Sequence, residues 1–245
     1  MTTKAGIANT EEQVFLEGPQ SRLEEFIFIV KVLFEFIKGF RTFHFFGPCA
    51  TVFGSARFNE DHPSYKEARK MGAELAKMGF TVMTGGGPGI MEAANRGAKD
   101  AGGKSVGCNI LLPAEQNRNP YLDRWVKLDY FFVRKVLLTK YSYAFIVMPG
   151  GFGTLDEFFE AVTLIQTNKI KHFPVILFGK EYHVKLYQHF QEMINSGTIT
   201  AEDMKLFLFT DSIPEAISFI EKTAIQGFHL KKLVKHKPIK VLGEK

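Results

Sequence analysis

The sequence predicts an α/β protein, a doubly wound parallel sheet with helices on both faces, preceded by an amphipathic helix. Three observations carry that prediction. Short apolar runs alternate with stretches of helical periodicity along most of the 245 residues, the pattern of a parallel sheet with crossover helices. Runs such as Ala144-Phe-Ile-Val-Met148 are apolar without alternation, as strands covered on both faces must be. Neither an internal repeat nor a linker divides the series, so a single α/β domain is expected.

Taken in order, residues 1–20 are polar and irregular. From 22 to 40, apolar residues return at helical spacing (Phe26, Ile29/Val30, Leu33, Phe36/Ile37, Phe40), which predicts an amphipathic helix packed on the body or on a partner chain. Lys31, Glu35, Lys38 and Arg41 interrupt this greasy stretch, so it lacks the ~20 apolar residues of a membrane span. Strands are then expected at 50–53, 80–84, 105–110, 125–128, 144–148, 175–178 and 206–209. Helices are expected at 64–78, 89–101, 131–141, 154–167, 182–195 and 214–223. The organisation that follows is an extension over 1–47, the α/β domain over 48–225 and a basic tail over 226–245.

Composition excludes several classes. With 45% hydrophobic and 23% charged residues the chain has a globular rather than a disordered mix, and at this length it buries ~70% of its unfolded surface without a disulfide or metal staple. Cys49 and Cys108 are too few for a disulfide framework or a cysteine zinc site. The start shows no secretory pattern, and a cytoplasmic location is expected. The net charge of +5 lies wholly in residues 226–245, which hold six lysines against Glu244. The rest sums to zero, so no basic face awaits nucleic acid, and the tail reads as a solubilising terminus.

In doubly wound sheets ligands bind beyond the carboxyl ends of the strands, where the strand order reverses. Three segments occupy such places: Gly54-Ser55-Ala56-Arg57, Thr84-Gly85-Gly86-Gly87-Pro88-Gly89-Ile90-Met91-Glu92, and Pro149-Gly150-Gly151-Phe152-Gly153-Thr154-Leu155-Asp156-Glu157. In the last two, glycines run directly into a helix, an arrangement that offers backbone N–H groups and a positive helix end to an anion such as phosphate. The common nucleotide fingerprints fail. A G-x-G-x-x-G pattern would need glycine where Glu92 and Asp156 stand, and Gly103-Lys104-Ser105 opens a strand, not the helix a Walker A loop needs. No G-x-S-x-G or H-E-x-x-H exists, and the histidines show no metal-ligand spacing.

Glu157 has two open readings. Thr154-x-x-Glu157 is a capping-box pattern, and Glu157 is equally a carboxylate held at the active edge of the sheet. Arg134, within the apolar run 131–138, calls for an anionic partner, which a structural ion pair would also supply.

Pro149-Gly-Gly-Phe-Gly-Thr-Leu-Asp-Glu157 resembles the PGGxGTxxE signature of the LOG (lonely-guy) family. Gly85-Gly-Gly-Pro-Gly-Ile-Met91 resembles its GGGxxGxM loop, and Arg134-Lys135 its Arg-Lys pair. The three blocks stand in order within about 48–224, and the GSAR start and Thr163-Leu-Ile-Gln-Thr167 are similar to the longer bacterial branch. The resemblance implies a Rossmann-like fold and a phosphoribohydrolase that cleaves a purine nucleoside 5′-monophosphate, AMP or a cytokinin riboside monophosphate, to base and ribose 5-phosphate. It implies Arg134 and Glu157 as catalytic residues. Substrate and phosphate contacts are implied at Ser55, Gly85, Gly86, Gly87, Met91, Glu92, Lys135, Gly150, Gly151, Gly153 and Thr154. No metal or cofactor is implied, and a homodimer or larger assembly is. The label lysine decarboxylase, also attached to this family, requires pyridoxal phosphate on a Schiff-base lysine, for which no lysine here has a recognisable setting. The rival expectation is a nucleotide- or cofactor-binding carrier without catalysis, of the kind that molybdenum-cofactor carriers represent on a similar fold.

Overall fold

The computed structural model describes residues 11–110, 118–171 and 173–226; the basic tail expected from 226 onward falls almost wholly outside them. A short helix α1 (Glu11–Leu16) and the long α2 (Arg22–Phe43) precede the sheet. Then follow β1 (Cys49–Phe53), α3 (Pro63–Lys77), β2 (Thr81–Thr84), α4 (Ile90–Asp100), β3 (Ser105–Ile110), β4 (Arg124–Leu128), α5 (Phe131–Tyr141) and β5 (Ser142–Val147). The chain continues through α6 (Phe152–Gln166), β6 (Val175–Phe178), α7 (Lys180–Asn195), a 3₁₀ turn (Ala201–Leu206), β7 (Leu208–Thr210) and α8 (Ile213–Ile220).

All seven strands are parallel, in the order β4-β3-β2-β1-β5-β6-β7. The chain winds outward from β1 to β4, crosses back, and winds the other way from β5, so the order reverses between β1 and β5. Strands β1, β2, β3 and β6 are buried throughout, the consequence of a core on each face. One core joins β-strand side chains to α2, α5, α6 and α7 through Phe43, Val133, Leu137, Phe158 and Phe190. The other joins them to α3, α4 and α8 through Tyr65, Met71, Ala93 and Ala216. Helices α3 and α4 touch backbone to backbone: a Cβ on Gly97 would meet Arg69 O, and one on Gly72 would meet Ala94 O.

Two local expectations are corrected. The start of α6 lies at Phe152, not Thr154, with Gly151 as N-cap and no side-chain cap. Thr154 therefore sits inside the first turn, and Thr154 and Glu157 form no capping box. The glycines permit the earlier start, because the cap needs only backbone there. Residues 11–16, read as irregular, form a helix because Glu12 accepts the Phe131 N–H at 3.1 Å and the Phe15 ring stacks on Phe28.

Helix α2 is tied to the body by a buried carboxylate. Glu35 accepts from the backbone N–H of Asp129 (2.8 Å) and Tyr130 (3.4 Å), the entry to α5. Gly39 lets the two helices close up, since a Cβ there would strike Leu137. This joint sets the height of α5, the helix that carries Arg134. No helix among the described residues is long and apolar enough to cross a membrane.

Candidate active site

The carboxyl ends of β1, β2 and β5 open into a cleft of about 680 Å³. Gly54, Ser55, Ala56 and Arg57 line one side, Gly85, Met91 and Arg134 another, and Gly150, Gly151, Phe152, Gly153, Thr154 and Tyr182 a third. The cleft thus stands at the reversal of strand order, where this architecture places ligands.

Ser55 stitches the three strand ends together. Its N–H donates to Pro149 O (3.0 Å), its carbonyl accepts from Ile90 N–H (2.9 Å), and its hydroxyl accepts from Arg57 N–H (3.1 Å). Gly89, at φ +68°, makes this possible: a Cβ there would lie on Ser55 O.

At the head of α6 the N–H groups of Gly151, Phe152 and Gly153 have no acceptor among the described residues. Thr154 and Leu155 both donate to Gly151 O. The unpaired donors and the positive end of α6 form an anion cradle. Gly150 must lack a side chain, because a Cβ would sit on the Thr154 hydroxyl, whereas Gly151 and Gly153 face open space. Helix α7 holds the loop from behind. The Tyr182 hydroxyl donates to Gly150 O at 2.9 Å, and the His183 ring is hydrogen-bonded to the Met148 backbone. His183 is only 2% exposed; burial pushes its pKa down to about 4 against the opposing pull of that bond, so the ring is neutral near pH 7.

The loop after β2 divides its labour. Gly85 reaches the cleft, where a Cβ would press on Met91 Sδ and Arg134 Nη2. Gly86 and Gly87 are anchored away from it. Gly86 N–H donates to Thr84 Oγ1 (2.9 Å), Gly86 O accepts from Asn119 N–H (2.9 Å), and Gly87 O accepts from Asn119 Nδ2 (3.1 Å). Asn95 Oδ1 completes the buried network, accepting from both Thr84 and Asn119. Glu92 turns outward to accept from the Tyr65 hydroxyl at 2.9 Å.

Arg134 and Glu157 come together. Arg134 Nε donates to Cys108 O at 3.2 Å, and among the described residues no carboxylate stands within ion-pair distance of the guanidinium. Glu157, one turn beyond Thr154 on the same face of α6, is 3% exposed. Burial pushes its carboxyl up to about 7, with Arg134 and then Lys135 pulling the other way and Glu160 and Asp156 adding to the rise. Lys135 bridges to Asp156 (2.9 Å) and Glu160 (2.7 Å). Burial depresses its pKa, but those two partners outweigh it and the net shift is upward. Lys135 thus ties α5 to α6.

Of the residues singled out from the sequence, Ser55, Gly85, Met91, Arg134, Gly150, Gly151, Gly153 and Thr154 line the cleft. Glu157 lies behind it, while Gly86, Gly87, Glu92 and Lys135 are engaged elsewhere. Sequence reasoning passed over Asn119 and Tyr182, which brace the two glycine loops across 32 residues each. It also left Arg57 off the site, although the GSAR segment was the signal for it. Cys49 and Cys108 are buried free thiols, each pushed to about 12 by burial, so both stay protonated near pH 7.

A family profile described as "Possible lysine decarboxylase" matches residues 91–220. A probable cytokinin riboside 5′-monophosphate phosphoribohydrolase of Oryza sativa subsp. japonica is 29% identical over 186 residues, 73% of this chain and 79% of that one. The cytokinin riboside 5′-monophosphate phosphoribohydrolase of Mycobacterium tuberculosis is 29% identical over 155 residues, 61% of this chain and 81% of that one. The solved structure of the molybdenum cofactor binding protein from the phototrophic bacterium Rippkaea orientalis superposes with a TM-score of 0.54 at 24% identity, over 72% of this chain and 96% of that one, a likeness of fold. The profile's description names a reaction that needs a lysine for pyridoxal phosphate. Among the described residues no lysine lines the cleft, and Lys135 is held by its two carboxylates. The residues present do not fit that cofactor.

Proposed function

The chain belongs to the family of that profile, the LOG family, and from this premise we propose that it hydrolyses the N-glycosidic bond of a purine nucleoside 5′-monophosphate, AMP or a cytokinin riboside monophosphate, to free base and ribose 5-phosphate. The observation that carries the proposal is the pairing of a buried carboxylate, Glu157, with the arginine Arg134 beside a cradle of backbone donors at the head of α6.

In this reading the 5′-phosphate rests on the N–H groups of Gly151, Phe152 and Gly153, with Thr154 and Arg57 nearby. Gly85 and Met91 shape the ribose side. As the glycosidic bond lengthens, positive charge builds on the ribose as an oxocarbenium ion. The ionised Glu157 stabilises that charge or orients the attacking water. Arg134 orients the nucleotide and assists departure of the base. A carboxyl with its pKa near 7 is poised to exchange a proton near neutral pH. The phosphate, remote from the broken bond, supplies binding energy that holds the ribose in place. Ser55, Tyr182 and Asn119 act through the loops they brace and are positioning residues. The activity is assigned to the domain spanning 48–225, in the cytoplasm, in a homo-oligomer.

Incubating the protein with AMP and assaying both products tests this. Equimolar adenine and ribose 5-phosphate is the expected result. Binding without release from AMP, GMP, CMP or UMP would instead favour a carrier.

A further inference from the structure

The neutral charge sum of residues 1–225 conceals a basic corner at the end of the sheet opposite the cleft. There α2, the loop after it and the first residues of β3 and β4 border a groove of about 700 Å³, within the size range of small-molecule sites. Its cations come from three separate segments: Lys38 and Arg41 on α2, Lys104 just before β3, and Arg124 at the start of β4. No acidic side chain lines it. The carboxylates nearest these cations in sequence are committed elsewhere. Asp100 pairs with Arg69, Asp123 takes Lys99 and the Ser105 N–H, and Glu35 takes the N–H groups of Asp129 and Tyr130. Lys104 and Arg124 form no ion pair among the described residues. Lys38 donates to Lys127 O at 2.5 Å, which leaves its ammonium two further protons to donate. Four rings share the groove: Phe34, Phe45, Phe46 and Trp125. The Phe46 carbonyl accepts from the Thr81 hydroxyl, and Lys104 Nζ stands 5.8 Å from the Phe46 ring centroid. The Arg118 guanidinium stands 5.7 Å from the Trp125 centroid. Rings and cations interleaved in this way suit a flat base joined to phosphates.

We propose that this groove is a second ligand site, separate from the cleft, that takes a nucleoside triphosphate. The base lies against Phe46 and Trp125, and the phosphates lie among Lys38, Arg41, Lys104 and Arg124. Charge selects the triphosphate. A single phosphate brings about two negative charges, and four cations gathered without a carboxylate call for more. The rings select the base, since an acidic peptide would meet the cations and leave four aromatic faces unused. Size selects a single nucleotide over a run of them, because the groove holds one ligand of that bulk. The six residues of β3 set this corner roughly 17 Å from the strand ends that open into the cleft. A ligand here touches neither Arg134 nor Glu157, and the proposal is independent of the catalytic reading.

Tryptophan fluorescence reads the groove directly, because Trp125 is the only tryptophan in the chain. The full chain titrated with ATP should show a saturable change in emission that weakens with added salt. AMP and inorganic tripolyphosphate should each bind at least about tenfold more weakly, the first for want of charge and the second for want of a ring. The double substitution Lys104→Glu and Arg124→Glu should weaken ATP binding about a hundredfold, roughly tenfold for each cation. Both positions are exposed, and circular dichroism melting checks that the fold is kept. The single substitutions Lys104→Ala and Arg124→Ala, each with a loss of about tenfold, carry the test if the charge reversal does not fold. A response to ATP unchanged in these variants would overturn the proposal, as would no response at millimolar ATP, or tripolyphosphate binding as tightly as ATP. So would a single-stranded oligonucleotide that binds more tightly than ATP and loses that binding in the double variant, since nucleic acid would then be the occupant.

Discussion

Glu157 is a carboxyl that the fold holds away from water at a cost in stability. Its pKa rises from 4.5 to about 7, chiefly through burial. The folded state therefore holds the proton more tightly than the unfolded chain, so stability falls as pH rises from about 4.5 through about 7. Above that range the full penalty of the charged group is present, on the order of 3 kcal/mol at 1.36 kcal/mol per unit. Glu157→Gln should raise the melting temperature at about pH 8 and change it little near pH 5, the reverse of a lost helix cap. If the ionised carboxylate does the chemistry, turnover in the wild type rises with pH through about 7 and levels off above it. A profile that falls across that range would assign the proton, not the charge, to the mechanism. Arg134→Ala should lower turnover ~100-fold, the scale of a positioned catalytic group, and should also lower the melting temperature at about pH 8, because Arg134 donates to Cys108 O and its charge offsets the burial of ionised Glu157. The sequence left Glu157 undecided between cap and active-edge carboxylate. The difference turned on two glycines, whose freedom to start α6 at Phe152 no side-chain pattern announces.

At the scale of elements, the head of α6 is the part most open to test. A Cβ on Gly150 would overlap the Thr154 hydroxyl, while one on Gly153 meets nothing within 4 Å. Gly150→Ala should therefore weaken nucleotide binding at least tenfold by displacing the cradle, and Gly153→Ala should weaken it far less; isothermal titration with AMP distinguishes them. Equal losses would mean that the cradle depends on flexibility rather than on shape. The joint between α2 and α5 gives a stability test. Glu35→Ala leaves the Asp129 and Tyr130 N–H groups unsatisfied and should cost about 2–4 kcal/mol in denaturant unfolding. Glu35→Gln keeps an acceptor and should cost less. Neither joint was legible beforehand. The helical spacing of apolar residues over 22–40 was, but which face of α2 meets the body depends on Glu35, Gly39 and Leu137, and the Glu35 contact crosses 94 residues of chain.

For the whole molecule, the architecture followed from alternation of strand and helix patterns, because each crossover helix and strand announces itself locally by its period. The cleft followed from topology, since three glycine-bearing loops had to meet where the order reverses between β1 and β5. What stayed hidden were the braces, Asn119 on the β2 loop and Tyr182 on the β5 loop, whose partners lie far away in sequence and near in space. This division of labour makes a whole-molecule prediction. If the head of α6 holds the 5′-phosphate, remote from the bond being broken, adenosine should be turned over far more slowly than AMP. AMP, and not adenosine, should raise the melting temperature in proportion to its occupancy.

The measurement closest to the central claim is the release of ribose 5-phosphate from AMP by the wild type and by Glu157→Gln, with AMP binding to both followed by titration calorimetry. The wild type should release one ribose 5-phosphate per adenine, and the variant should bind AMP comparably yet turn it over ~100-fold or more slowly. A Glu157→Gln protein as active as the wild type, or a wild type that binds AMP and releases nothing, would contradict the assignment of this cleft to glycosidic hydrolysis.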